Sequence, residues 1–105
     1  MSLLDYGCGQ GRFLSELAGS FKSLGKSCTL LCFDPFMEIR FSGFRHIADP
    51  TSIPDGSLDF ITLMEVCEHI SEDETDRVIR FCEKKLRPSG LILVTVPIMM
   101  GPGLL

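Results

Sequence analysis

A loop rich in glycine is the first segment whose residue types could do chemistry. Gly7, Gly9 and Gly11 alternate with other residues directly after the short apolar segment 3–6. Glycine has no Cβ, so the backbone can turn tightly there and come close to a ligand. The spacing Gly-x-Gly-x-Gly differs from the Gly-x-Gly-x-x-Gly of dinucleotide-binding loops, which disfavours a nicotinamide dehydrogenase. Taken alone, the segment predicts a turn as readily as a binding site.

A carboxylate in the second apolar segment favours the binding interpretation. Asp34 ends the apolar run 28–33. An acid about 20 residues beyond a glycine loop, at the tip of the next strand, is placed to accept hydrogen bonds from ribose hydroxyls. The alternative is that Asp34 and Pro35 only begin a turn. Because both features lie in the expected context, we expect a site for a ligand that contains ribose.

A cluster of polar residues follows the fourth apolar segment. Glu65, Glu68 and His69 offer two carboxylates and one imidazole within five positions, which could share a divalent ion. Three ligands are a weak signal without a fourth. His69 could instead act as a general base, or the segment could only shape a pocket. The residues leave these three alternatives open, and the other histidine, His46, is expected at the surface.

The elements that must position these residues follow from the hydrophobic pattern. Helical spacing of apolar residues predicts a helix from Arg12 to Leu24, and a second helix begins at Ser71, whose capping box is completed by Glu74. A short helix is expected over 36–42. Strands are expected at 3–6, 28–33, 44–48, 58–66 and 91–96. This alternation predicts an α/β fold whose mostly parallel sheet places a ligand at the carboxyl ends of its strands.

Composition limits the classes of protein. A chain of 105 residues allows one domain, and its formal net charge of −4 gives no electrostatic basis for binding nucleic acid or an anionic membrane. No apolar run approaches the roughly 20 residues of a membrane span, and the N-terminus lacks a signal-peptide pattern, so a cytoplasmic location is expected. The five cysteines are odd in number and include no Cys-x-x-Cys pair. We therefore expect reduced, mostly buried thiols and neither disulfides nor zinc.

Segment 3–14, Leu-Leu-Asp-Tyr-Gly-Cys-Gly-Gln-Gly-Arg-Phe-Leu, resembles the first motif of the class I S-adenosylmethionine-dependent methyltransferases. Further segments that resemble this family follow in order, at 31–35, 48–50, 53–61, 64–70 and 86–97. The resemblance covers nearly the whole chain. It implies a Rossmann-like, doubly wound sheet of order 3-2-1-4-5, S-adenosylmethionine as the cofactor and a small molecule as the methyl acceptor.

The resemblance also implies roles for individual residues around S-adenosylmethionine. Asp5 would order the glycine loop near the methionine amino group, and Asp34 would hold the ribose hydroxyls. Asp49 would lie beside the adenine amine, with Pro50 where the family usually offers a backbone N–H that proline lacks. The residues implied around the methionine part are Gly7, Cys8, Gly9, Gly11, Glu65 and Val66.

Two alternative functions accompany this resemblance. The segment Glu65-x-x-Glu68-His69 is similar to a metal-binding segment of RNA 2′-O-methyltransferases, although the acidic balance of the chain opposes RNA binding. It is also similar to the same segment in quinone-biosynthesis O-methyltransferases, in many of whose relatives the histidine lies near the acceptor. Alternatively, the chain could be a truncated module that binds the cofactor or a partner without catalysis.

The length of the chain carries the last expectations. Methyltransferases of this class usually continue into antiparallel strands after the fifth strand, so residues 1–105 are expected to form one partial, truncated cofactor-binding domain. Strand 91–96 would then lie at an open edge of the sheet, and an open edge invites pairing with another chain. We therefore predict a homo-oligomer, a dimer or larger, formed through this strand or through the methionine-rich segment at 99–105 that follows it.

Overall fold

A single sheet with helices on both faces organises the chain. The computed structural model describes residues 1–64, 66 and 69–95. Its strands are β1 (Ser2–Tyr6), β2 (Thr29–Phe33), β3 (Arg45–His46), β4 (Leu58–Met64) and β5 (Leu86–Thr95), and its helices are α1 (Arg12–Ser23) and α2 (Glu72–Lys85). A 3-10 turn at Pro50–Ser52 separates β3 from β4.

The five strands run parallel in the order β3-β2-β1-β4-β5. Strand β1 is therefore central, and its Leu4 pairs with Leu31 of β2 and with Ile61 of β4. Leu4 and Ile61 are fully buried, as expected for a parallel sheet that is covered on both faces. The predicted α/β fold and the strand order 3-2-1-4-5 are confirmed.

The two helices pack on opposite faces of this sheet. Successive residues of a strand point to opposite faces, and Leu3 and Leu4 belong to different buried clusters. Leu3 lies in the cluster of Leu14 from α1, whereas Leu4 lies in the cluster of Cys82 from α2. The sheet is thus doubly wound. Neither helix within the described residues has the length and apolar character that a membrane span needs.

Local signals set the ends of both helices. The Ser71 hydroxyl accepts a hydrogen bond from the Glu74 backbone N–H at 3.1 Å, so Ser71 is the predicted N-cap of α2. Three acidic residues in the first turn, 72–74, favour the positive end of the helix dipole. Helix α1 ends just before Gly25, which has a φ of 65° and donates its N–H to the Lys22 carbonyl.

The segment after β2 differs from its prediction. No helix forms over 36–42. The backbone N–H groups of Arg40 and Phe41 instead donate to the carbonyl of Gln10, at 2.9 and 3.1 Å. These hydrogen bonds tie the segment to the glycine loop and replace the helical ones. Strand β3 is also shorter than the expected 44–48, because only Arg45 and His46 pair with β2.

Strand β5 begins earlier than the predicted residue 91. Leu86 pairs with Leu58 directly after α2, and the pairing then resumes at Leu91 opposite Phe60, so the residues between them form an irregularity in the strand. The last predicted residue of this strand, Val96, lies outside the described part of the chain.

The prediction that the cysteines are reduced is wrong for two of them. Cys8 in the glycine loop and Cys32 in β2 form a disulfide, with 5.7 Å between their Cα atoms. Parallel pairing of β1 with β2 brings the two positions together, which a count of cysteines along the sequence does not reveal. Cys28 and Cys82 are not joined in a disulfide, and Cys67 lies outside the described residues.

Candidate functional site

The glycine loop lies against the end of β2. The backbone N–H groups of Gly7 and Cys8 donate to the Phe33 carbonyl at 2.7 and 3.1 Å. The N–H of the next residue, Gly9, donates to Asp34 Oδ2 at 2.9 Å. The loop and the acid that the sequence paired are therefore in direct contact.

The Asp34 carboxylate also orders the segment that follows it. Its Oδ1 accepts hydrogen bonds from the backbone N–H groups of Phe36 at 2.8 Å and Met37 at 3.0 Å. An ionised carboxylate has about four lone-pair sites. With three backbone donors bound, this carboxylate keeps capacity for a hydroxyl donor from a ligand.

A cleft of about 440 Å³ opens at the carboxyl ends of β1 and β2, beside the start of α2. Four residues of the predicted site line it, namely Gly7, Asp34, Val66 and His69. Six further residues line it that the sequence did not predict for the site, namely Tyr6, Pro35, Phe36, Ile70, Glu74 and Val78. The first two turns of α2 therefore contribute to the cleft through Glu74 and Val78, in addition to the glycine loop and the ends of the two strands.

Two glycines of the loop leave no room for a side chain. Gly7 has a φ of +81°, and a Cβ at this position would lie 2.6 Å from Cγ2 of Val66. Gly11 has a φ of +91°, and its Cβ would overlap the ring of Phe44. A Cβ at Gly9 would face open space. Glycine is favoured there because the backbone has a φ of +59°, and this conformation directs the Gly9 N–H to Asp34.

Asp5 lies beneath the cleft and is buried. Its Oδ1 accepts a hydrogen bond from Thr62 Oγ1 at 2.7 Å. Burial raises the pKa of Asp5, the Thr62 hydrogen bond lowers it, and the nearby charge of Asp34 raises it, with a net upward shift. Asp5 does not line the cleft, and its predicted role in ordering the glycine loop stays a prediction.

Asp49 and Pro50 lie at the 3-10 turn. Asp49 Oδ1 accepts hydrogen bonds from the backbone N–H of Thr51 at 3.0 Å and from its hydroxyl at 2.7 Å. These two bonds lower the pKa of Asp49. Neither Asp49 nor Pro50 belongs to the described lining of the cleft, so their contact with adenine stays a prediction from the resemblance.

The predicted cluster at 65–69 is described only in part. His69 is exposed and lines the cleft, and its backbone N–H donates to the Val66 carbonyl at 3.0 Å. Glu65 and Glu68 lie outside the described residues. Among the residues that are described, no three His, Cys, Asp or Glu side chains form a group that could hold a metal ion.

The charges around the cleft favour a particular kind of ligand. Asp34 and Glu74 contribute carboxylates to its wall, and the described lining contains no lysine or arginine. Anionic ligands such as phosphates usually need basic side chains. A ligand with a positive or neutral polar part and an apolar body fits this wall better, because the remaining lining is mostly apolar.

The parallel sheet and the cleft at the carboxyl ends of its strands define a Rossmann-like α/β domain. The chain belongs to the methyltransferase-domain family, whose sequence profile matches residues 1–100. The expected membership of the class I S-adenosylmethionine-dependent methyltransferases is thereby confirmed.

Solved structures with the same fold agree with this family. The chain is similar to a SAM-dependent methyltransferase from Archaeoglobus fulgidus, with 26% identity and a TM-score of 0.68 over 91% of this chain and 44% of that one. It shares the fold of a protein assigned to the type 11 methyltransferases, from Sulfolobus solfataricus, with 24% identity and a TM-score of 0.63 over 89% of this chain and 54% of that one. The chain thus spans about half the length of these structures. A comparison with curated proteins finds no match.

Proposed function

We propose that this chain binds S-adenosylmethionine in the cleft and supports transfer of its methyl group to a small molecule. The observation that carries the proposal is the hydrogen bond from Gly9 to Asp34. It joins the glycine loop and the acid at the tip of β2, the two features that a nucleoside-binding site of this fold requires. The family of methyltransferase domains to which the chain belongs supports the same cofactor.

The shape and charge of the cleft fit this cofactor. Gly7 lets the loop pack directly against Val66, where a Cβ would clash, and both residues line the cleft. Asp34 keeps hydrogen-bonding capacity for ribose hydroxyls. The carboxylates of Asp34 and Glu74 suit a sulfonium cation, and the apolar lining residues suit the adenine ring.

Methyl transfer requires little covalent catalysis from the protein. The cofactor supplies a methyl group that its sulfonium already activates. The residues of the cleft must orient the acceptor and exclude water, because correct positioning provides much of the rate in such a reaction. His69 lies on the cleft wall, where it could accept a proton from a hydroxyl acceptor.

A module that binds the cofactor without catalysis is the second candidate. The Gly9–Asp34 hydrogen bond supports it equally, because that contact concerns the cofactor and not the acceptor. Methylation of RNA has less support, because the formal net charge is −4 and the described cleft lining includes no basic residue.

Titration of S-adenosylhomocysteine by calorimetry tests the proposed cofactor. We expect the wild type to bind it and Asp34→Ala to bind it at least about tenfold more weakly, since hydrogen bonds to a charged group contribute about 1.5–3 kcal/mol. Glu16→Ala, which removes an exposed acid of α1 away from the cleft, should bind like the wild type. Asp34→Asn can still accept the Gly9 hydrogen bond. This variant therefore separates the effect of losing the charge from the effect of losing the contact with the glycine loop.

The outcomes separate the candidates. Absence of binding to the wild type would contradict the proposed cofactor, and equal affinity in wild type and Asp34→Ala would contradict its placement at Asp34. Binding without transfer of a labelled methyl group to a panel of small alcohols, phenols and amines would favour the non-catalytic module.

A further inference from the structure

We propose that the Cys8–Cys32 disulfide is a reversible redox site that sets the affinity of the cleft, and that the oxidised form binds the cofactor more tightly. This inference rests on the proposed function, because the ligand whose affinity changes is S-adenosylmethionine or its product. It concerns a pair of residues to which methyl transfer itself assigns no chemistry.

The positions of the two cysteines carry the inference. Cys8 lies between Gly7 and Gly9, and Cys32 lies in β2 two residues before Asp34. The bond therefore links the glycine loop covalently to the strand that presents the acid. The Cα atoms are 5.7 Å apart, which is within the usual range of disulfides, so the bond forms without movement of the backbone.

The glycine loop is the part of the site that most needs such a link. Without the disulfide, the described contacts that hold it to β2 and Asp34 are the hydrogen bonds from Gly7, Cys8 and Gly9. Glycine loses more conformational freedom on ordering than any other residue. A reduced loop would therefore sample more conformations, and a ligand would have to order it on binding.

The expected direction follows from preorganisation. Holding a loop in its bound conformation increases affinity, because less entropy is lost when the ligand binds. The disulfide holds the loop against Asp34 before any ligand arrives. We expect reduction to weaken binding by about fivefold, which corresponds to ordering roughly one additional residue.

The redox step is thiol–disulfide exchange with a small-molecule disulfide such as oxidised glutathione. The thiolate of Cys8 attacks one sulfur of that reagent, forms a mixed disulfide and releases one glutathione thiolate. The thiolate of Cys32 then attacks the Cys8 sulfur, closes the protein disulfide and releases the second glutathione. Each protein thiol gives its proton to solvent or to the departing thiolate, and two cysteine thiols are oxidised while one glutathione disulfide is reduced. Cys8 is the attacking residue because it keeps 8% exposure, whereas Cys32 is fully buried.

Titration of the whole chain with S-adenosylhomocysteine in both redox states tests the inference. One sample is equilibrated with oxidised glutathione and the other with a phosphine reductant, and alkylation followed by mass spectrometry counts the free thiols in each. We expect about fivefold tighter binding by the oxidised sample. Cys8→Ser, with Cys32→Ala as the second variant if the first does not fold, should show one weaker affinity in both conditions. Cys28→Ser removes a free thiol at the other end of β2 and should keep the redox difference.

Thermodynamic linkage provides a second readout. If oxidation tightens binding by some factor, saturating ligand must shift the equilibrium between thiols and disulfide by the same factor. We therefore expect saturating S-adenosylhomocysteine to favour the disulfide in a glutathione buffer by about fivefold. Equal affinities in the two redox states, tighter binding by the reduced form, or failure of Cys8 and Cys32 to oxidise would overturn the redox site alone. Absence of binding in both states would overturn the proposed function together with this inference.

Discussion

At the scale of single residues, Asp5 is a buried acid whose ionisation costs stability, whereas its predicted role in the site needs the ionised form. The carboxylate is buried beneath the cleft, close to the negative charge of Asp34, and one described side chain, Thr62, donates a hydrogen bond to it. Burial raises its pKa above the ordinary value of 3.8. An acid in such a position weakens the folded state when it ionises, so its presence needs a reason other than stability.

Asp5→Asn separates these two effects. Because the folded state raises the pKa of Asp5, the stability it contributes is complete below pH 3.8 and is lost as the pH rises through the folded-state pKa. Asparagine does not ionise and can still accept the Thr62 hydrogen bond. We expect the free energy of unfolding of the variant, relative to wild type, to increase as the pH rises above 3.8 and to be no lower than wild type at neutral pH. If Asp5 has its predicted role beside the methionine amino group, affinity for S-adenosylhomocysteine should nevertheless fall by about tenfold, because the variant lacks the charged acceptor.

Urea denaturation across this pH range and calorimetric titration at neutral pH measure both quantities. A variant that is less stable than wild type at neutral pH would show that ionised Asp5 stabilises the fold. Unchanged affinity would remove Asp5 from the proposed site.

At the scale of elements, local signals were sufficient for most of the fold. The Ser71–Glu74 cap, the end of α1 before Gly25 and the buried strands follow from neighbours in sequence, and the structure has them. The helix expected over 36–42 was wrong because its backbone N–H groups bond elsewhere. The carbonyl of Gln10 accepts the N–H groups of Arg40 and Phe41, which a helix would bond to carbonyls within the segment.

The contact between the glycine loop and Asp34 could be predicted because parallel strands end at one edge of a sheet. The contribution of α2 to the cleft wall could not be predicted from the sequence. Glu74 was predicted only as a capping residue, and it lines the cleft together with Val78, which also packs against the buried cluster of Leu4. Which residues of a helix reach a neighbouring cleft depends on how the helix docks, and spacing along the sequence does not give that. The Cys8–Cys32 bond was missed for the same reason, because it depends on strand pairing.

The N-cap of α2 can be tested by one substitution. Removal of the Ser71 hydroxyl leaves the Glu74 N–H without its described acceptor, and loss of such a cap costs about 1 kcal/mol. Ser71→Ala should therefore lower the free energy of unfolding by about that amount in urea denaturation. Ser20→Ala is the matched control, because Ser20 lies within α1 and its hydroxyl donates to the Glu16 carbonyl. Its effect should stay within about 0.5 kcal/mol, and an equal loss in both variants would contradict the cap.

At the scale of the whole molecule, the outer edge of β5 exposes apolar side chains that the proposed site does not use. Among the described strands, β5 pairs only with β4. Its side chains Leu91, Leu93 and Val94 are 63%, 54% and 44% exposed, although strands of parallel sheets are usually covered on both faces. Edge strands are commonly protected by charged residues, and the stretch 88–95 contains none. Arg87 lies at the start of β5, and beyond it the apolar, uncharged edge favours pairing with another strand.

We propose that a second copy of the chain provides that strand, in antiparallel pairing of β5 with β5. A two-fold interface uses the same surface on both copies, so the leucines of one edge would pack against those of the other.

Sedimentation at rising concentration should show a mass that approaches twice 11.6 kDa, and added salt should tighten the dimer by screening the charge of −4 on each copy. Leu93→Lys should weaken association by about tenfold or more, because it places like charges at the shared edge and removes apolar contact worth about 1.5–3 kcal/mol. Leu24→Lys, at the exposed end of α1 away from β5, should associate like the wild type. A wild type that remains monomeric at the highest concentration would contradict the dimer, and a Leu24→Lys variant that dissociates as Leu93→Lys does would place the interface elsewhere.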